Sequence, residues 1–168
     1  MNETRLLLVS ALELEFPAIP NDSVVLTNPE RAEYDEREAA TQSLFAGRSW
    51  REMSSLEIGE HVLNLPLLTP LAKERTIPAY LRALVLGELT IDIDDELLGW
   101  LEMEIIPGEE GLDIWWGKMR PSQKSVVGLI IFYSSWLNES MPPRRLVRHL
   151  YRELFGVVPP VRGSGQCF

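Results

Sequence analysis

The sequence predicts an all-α fold, a compact single-domain bundle of about six or seven helices. Three observations carry that prediction. Apolar residues recur at steps of three and four through most of the chain. Helix start and stop signals bracket these runs: Thr69-Pro70, Ser54 with Glu57, Gly47 and Gly87. Strand-like alternation is confined to two short pieces, around Val24-Val25 and over "TIDID". A chain of 168 residues, 45% hydrophobic and 24% charged, can bury a real core and does not have the composition of a disordered segment. Residues 1–160 are expected to form one helical domain and residues 161–168 a flexible tail.

The first helix is set by Leu8, Leu12 and Phe16 with Leu7 and Ala11 beside them, and Pro17 and Pro20 end it. "NDSVVLTN" is a turn-rich connector with one strand-like piece and no evident pairing partner. Asn28 as cap and Pro29 at the first helical position then predict a surface helix closed by Gly47, with Tyr34, Ala40, Leu44 and Phe45 as its thin apolar face. Ser54 and Glu57 form a capping-box pattern for a short helix carrying Leu56, Val62 and Leu63.

Thr69-Pro70 starts a helix with Leu71, Ile77, Leu81, Leu84 and Val85 on its apolar side. Pro78 lies inside it, where a missing N–H and a crowded preceding turn predict a kink or break, with a new helix starting at Pro78. "TIDIDDELLGWLEMEIIPG" reads as a strand-like piece and then a helix capped by Asp94, holding Leu97, Leu98 and Leu101 and closed by Pro107. "GEEGLDIWWGKMR" reads as a glycine-punctuated loop. The segment from Pro121, with Val126, Ile130, Phe132, Tyr133, Trp136 and Leu137, is apolar on most sides and is expected to be the central helix. The last helix buries Leu146, Val147, Leu150, Leu154 and Phe155 and ends at Gly156.

Charge is the most informative bulk property. The net charge is −9, but Met1–Gly117 holds 8 Lys+Arg against 23 Asp+Glu, or −15, and Lys118–Phe168 holds 8 against 2, or +6. An acidic chain argues against nucleic acid as a general partner, while such asymmetry is a mark of interaction surfaces.

No pattern for chemistry emerges. His61 and His149 have no second ligand at metal-binding spacing, and Cys167 is the only cysteine. Asp92, Asp94, Asp95 and Glu96 are the densest carboxylates, yet the run has neither the glycine nor the terminal glutamate of a calcium hand. Their place at a helix start has a simpler cause in the helix dipole. Ser54, Ser122 and Ser164 have capping or loop roles and lie in no nucleophile elbow. No catalytic residue, metal or cofactor is therefore assigned. The apolar run Leu6–Leu12 is short and flanked by Glu3, Glu13 and Glu15, which fits neither an export signal nor a membrane span and leads to a cytoplasmic expectation.

Two groups of residues stand out as contact surfaces. Asp92, Asp94, Asp95, Glu96, Glu109 and Glu110, with the adjacent Trp115 and Trp116, form a candidate partner-binding set. For the tryptophans the alternative is that they fold back over the core. Arg145, Arg148 and Arg152, at steps of three and four, form a candidate basic face, with Arg144 beside them.

"LFAGRSWREMSSLEI", "LPLLTPLAKERTIPAYLRALVLGEL" and "PSQKSVVGLIIFYSSWLNE" occur in the order seen in an uncharacterised family of small all-helical bacterial proteins, a domain of unknown function. The chain resembles that family at Gly47, Trp50, Leu67, Leu68, Thr69, Pro70, Pro78, Ala79, Tyr80, Leu81 and Gln123. It departs from it at "KERTI", where the family carries aromatics before the internal proline. The resemblance implies a helical fold, a bacterial setting and an architectural joint at Pro78; it implies no reaction.

Two functions fit this reading, and a third, weaker one is an accessory protein that uses the arginine helix against nucleic acid. The first is an acidic protein-interaction module, such as an immunity or antitoxin-like inhibitor that masks a basic toxin or enzyme. The second is an enzyme or small-ligand-binding protein with an aromatic pocket around Trp50, Tyr80 and Trp136.

Overall fold

The computed structural model describes residues 3–106, 114–137 and 142–156, with the side chains of residues 114 and 135–137 outside that description. In chain order the elements are α1 (Glu3–Glu15), a 3-10 turn (Pro29–Glu33), α2 (Glu36–Phe45), a 3-10 turn (Trp50–Glu52), α3 (Ser55–Gly59), a 3-10 turn (Val62–Leu67), α4 (Pro70–Leu86), α5 (Ile91–Ile105), α6 (Ile114–Lys118), α7 (Pro121–Leu137) and α8 (Arg144–Phe155). The fold is all-α, as the helical periodicity predicts. Among the described residues no helix is long and apolar enough to cross a membrane.

Helix α4, and not α7, is the hub. It packs against α1, α3, α6, α7 and the turn at Trp50. Thr69 caps it by accepting from the Ala72 amide at 3.2 Å, and Gly87 closes it in the left-handed region at φ 67°, where a side chain would be strained. From Thr76 to Leu81 every residue is buried, and Ala72, Ala79 and Ala83 let neighbouring helices approach closely. Helix α7 is more peripheral: it meets α1, α4 and α8, and Leu129 on its outer side is 48% exposed.

The expected break at Pro78 does not occur. Helix α4 runs unbroken from Pro70 to Leu86, with Pro78 buried between Ile77 and Ala79. The proline still deprives the Glu74 carbonyl of its helical donor. Packing on every side of this segment holds the helix together against that loss.

Other boundaries also differ from expectation. Asn28 makes no capping bond; Pro29–Glu33 is a 3-10 turn, and Asp35 caps α2 by accepting from the amides of Arg37 at 2.9 Å and Glu38 at 3.2 Å. The chain is thus interrupted at Tyr34, which is 88% exposed instead of lying on an apolar face, and Ala40 is exposed too. On α1, Leu8, Leu12 and Phe16 are buried as predicted while Leu7 faces solvent. Leu56 and Leu63 are also exposed: α3 is a single turn, and Ile58, Val62 and Leu65 supply the inward positions. Phe155 is 53% exposed, not buried with Leu146 and Leu150.

The strand-like "VVL" finds a partner in the approach to α4. Leu26 and Leu68 form one antiparallel bridge, closed by Thr27 N to Leu67 O at 2.9 Å and Thr69 N to Val25 O at 2.8 Å. "TIDID" is not a strand: α5 already starts at Ile91, so Asp94 lies inside the first turn and is not the cap. The tryptophan segment expected as loop contains α6. Pro107, the tail glycines and Cys167 lie outside the described residues.

The capping box of α3 is present in full. Ser54 N and Oγ donate to Glu57 Oε2 at 2.9 and 2.7 Å, and Glu57 N donates back to Ser54 Oγ at 3.3 Å. Arg48 adds an ion pair at 3.1 Å. The Arg48 guanidinium, with the Ser54 bonds, holds the Glu57 carboxyl down to about 2. An unfolded carboxylate takes up its proton near 4.5, before the folded one does. Stability from this group is therefore complete above pH 4.5 and declines as pH falls toward 2. Ser54→Ala is expected to cost about 1 kcal/mol at neutral pH. Urea melts from pH 7 to pH 3 should show the gap to wild type narrowing on acidification; a constant gap would contradict the assignment.

Candidate partner-binding site

Helix α5 opens with its acidic residues placed by helical geometry. Asp92, Asp95 and Glu96 follow steps of three and four, share one face, and are all exposed. Asp94 points the other way and is 2% exposed. The helix start favours negative charge through its unpaired amides. Gly59, at the end of α3, abuts this turn: a Cβ there would lie 3.2 Å from Ile93 Cδ1 and 3.8 Å from Leu89 Cδ2. Exposed Glu60 follows Gly59 directly, and exposed Glu88 precedes the helix.

Among the described residues the exposed carboxylates of this face are left uncompensated, as are Glu30, Glu33 and Glu36 elsewhere in the sequence, whereas others are paired. Glu15, Asp22, Glu38, Glu57, Glu102, Glu104 and Glu153 all have a Lys, Arg or His nitrogen within reach. Among the described residues Asp92, Asp95 and Glu96 form no ion pair. Glu109 and Glu110 lie outside the described residues.

Trp115 and Trp116 are each 2% exposed and belong to the core. A short helix directs the two side chains apart. Trp115 stacks parallel to Trp100 of α5, with centroids 6.1 Å apart and planes 2° apart, and stands edge-on to Trp116. Its Nε1 donates to Glu104 Oε2 at 2.8 Å, and Lys73 of α4 meets Glu104 Oε1 at 2.7 Å while lying over the Trp100 ring. Trp116 repeats the arrangement on the other side: its Nε1 donates to Glu153 Oε2 at 2.9 Å, and Lys124 of α7 meets Glu153 Oε1 at 2.6 Å while lying over the Trp116 ring. Burial alone would raise the Glu153 carboxyl, but the bonds from Lys124 and Trp116 and the charges of Lys124 and His149 outweigh it and hold it below its ordinary value. Helix α6 is thereby tied to α4 and α5 by one tryptophan and to α7 and α8 by the other.

These Lys–Glu–Trp groups escape sequence reasoning because their members are far apart in the chain. The sequence shows only that lysine is scarce, three among sixteen basic residues, and the structure places two of the three over tryptophan rings.

Trp50 and Tyr80, expected to line an aromatic pocket, are packed into the core. Both side chains have no exposed surface; Trp50 Nε1 donates to Phe16 O at 3.3 Å and Tyr80 Oη to Ile58 O at 2.9 Å. The Trp136 side chain lies outside the described residues. Several positions that carry the family resemblance therefore act as internal ties. Gln123 is another: it accepts from Arg120 N at 3.0 Å and donates to Glu15 O at 3.1 Å, fixing the start of α7 to the end of α1. Two concavities on the described surface are small and open to solvent. One of about 190 Å³ is lined by Arg5, Gly87, Leu89, Ile91 and Asp94; another of about 170 Å³ lies beside the Arg31–Glu38 pair.

His61 and His149 are far from ligand sets: no group of three His, Cys, Asp or Glu able to hold a metal occurs among the described residues. His61 Nδ1 lies 3.0 Å from Thr41 Oγ1, and its burial lowers its affinity for a proton. His149 Nε2 lies 3.3 Å from Glu153.

Arg144, Arg145, Arg148 and Arg152 are all exposed on α8. Among the described residues only Arg145 of these approaches a carboxylate, Glu102, at 3.9 Å. Comparison with protein-family models, curated proteins and solved structures found no match to the chain.

Proposed function

We propose that the chain is an acidic protein-interaction module of the immunity or antitoxin type, which binds a basic protein partner through the outer face of α5. The observation that carries this reading is the grouping of exposed Asp92, Asp95 and Glu96 on one face of α5, next in the structure to the turn that carries Glu60, with no ion pair among the described residues. An acidic face of this kind accelerates encounter with a basic partner and repels acidic ones. The tryptophans enter the proposal as support for the surface; they are not its anchors. They hold α6 and the far end of α5 in place from beneath.

The test is capture from a bacterial lysate on immobilised protein, at low and at moderate salt, with three forms of the chain. Wild type should retain one stoichiometric basic protein. Asp92→Asn/Asp95→Asn/Glu96→Gln should lose it, with affinity lower by about tenfold or more. Neutralising Glu30, Glu33 and Glu36 instead should leave capture intact. Equal retention by the first two forms, or no partner at low salt, overturns the proposal.

A further inference from the structure

Helix α8 carries a second surface of opposite sign, and its composition is specific. Steps of three and four place Arg144, Arg148, Tyr151, Arg152 and Phe155 on one face, with Arg145 at its edge. Leu146 and Leu150 are buried on the opposite side, so the arginine face looks outward. Among the described residues Arg144, Arg148 and Arg152 have no ion-pair partner. The helix's only carboxylate, Glu153, is turned into the Lys124–Trp116–His149 group and does not offset them.

The aromatics interleaved with these cations are also outward. The Phe155 ring is 53% exposed. Tyr151 is half-buried and stands 5.4 Å from Phe155 and 4.8 Å from Phe132 of α7, centroid to centroid. Arg144, Arg148 and Arg152 succeed one another every four residues, a rise of about 6 Å per step. The face is a short cationic comb with flat apolar rings between its teeth.

We propose that this face of α8 binds single-stranded nucleic acid. The guanidinium groups contact successive phosphates, and the Phe155 ring, backed by Tyr151 and Phe132, stacks on a base. A partner offering carboxylates alone, such as polyglutamate, would match the charge but would leave the exposed ring without a flat counterpart. A duplex hides its base faces and would leave the ring equally unused. The −9 of the whole chain does not forbid such binding, because at physiological salt charges beyond about 8 Å are largely screened and the local field is that of the arginines. This surface is separate from the acidic face of α5, and either can fail its test without the other.

The test is fluorescence anisotropy with a labelled twenty-nucleotide oligothymidylate and its oligouridylate counterpart, titrated with full-length protein over a range of salt. Binding should weaken with salt at a log–log slope of about −2 to −3, the value for three or four phosphate contacts on a single strand. Arg148→Glu/Arg152→Glu should abolish binding. Phe155→Ala should weaken it about tenfold with the slope unchanged, since stacking releases no counterions. Circular dichroism confirms that each variant remains folded. Absence of binding at 20 mM salt, undiminished binding by the double arginine variant, or equally strong binding of polyglutamate or of duplex DNA would each overturn the proposal.

Discussion

Trp115→Ala is expected to destabilise the protein by about 4 kcal/mol, the range for emptying a buried tryptophan site. Three losses combine. The indole is 2% exposed, so its removal leaves a cavity where α6 packs on α4 and α5. Its parallel stack on Trp100 and its edge contact with Trp116 both disappear. Glu104 loses a donor at 2.8 Å while remaining close to buried, with its side chain 12% exposed. Trp115→Phe separates these contributions. The phenyl ring restores most of the packing and none of the hydrogen bond, so its cost should fall to about 2 kcal/mol, the size of a bond to a charged acceptor. Urea denaturation followed by far-UV circular dichroism reads both numbers. A loss below about 1.5 kcal/mol for the alanine variant would mean that α6 is not held in the core as described. The prediction bears directly on function. A tryptophan variant that loses a binding partner would report a damaged fold, so the acidic face has to be tested through its carboxylates.

The fold was legible where local signals and packing agree. Leu8, Leu12 and Phe16 were placed by period, and the Thr69 cap, the Ser54–Glu57 box and the Gly87 and Gly156 stops were readable residue by residue. Reading failed where tertiary packing overrides a local rule. Pro78 breaks helices by intrinsic propensity, yet α4 is buried around it and continues. Asn28-Pro29 is a strong start signal, but Asp35 offers a better-placed carboxylate and moves the start of the α-helix beyond Tyr34. The strand-like alternation in "TIDID" is equally compatible with one helical turn whose Ile93 and Asp94 face inward and whose Asp92 and Asp95 face out.

The candidate surfaces divide along the same line. Asp92, Asp95, Glu96 and the arginines of α8 could be found from composition and spacing, because exposed charge on a helix face is a local property. The Lys–Glu–Trp groups could not. Lys73 and Glu104 are 31 residues apart, and Lys124 and Glu153 are 29 apart, so only the packed structure brings them together.

The Lys73–Glu104 pair supplies the second large effect. Lys73→Met is expected to cost about 3 kcal/mol, because removing one partner leaves the other charge in poor contact with water. The side chains are 13% and 12% exposed, and the ammonium also lies 5.7 Å from the centre of the Trp100 ring. Glu104→Gln should cost less, since its amide oxygen can still accept from Trp115 while the ammonium retains the indole face. The double variant should fall well short of the sum of the two singles. Once neither charge is present, methionine fills the lysine's place with similar bulk and the glutamine keeps the indole bond. A double-mutant cycle by urea denaturation should therefore return a coupling of about 2 kcal/mol. For comparison, the pair Arg75–Asp22 has a carboxylate 65% exposed, and the same cycle there should return below about 0.5 kcal/mol. If both cycles gave the smaller value, Glu104 would be a solvated carboxylate and the charge beneath Trp115 would not tie α6 to α4. If the difference holds, the pair helps fix the far end of α5, and with it the direction in which Asp92, Asp95 and Glu96 are presented.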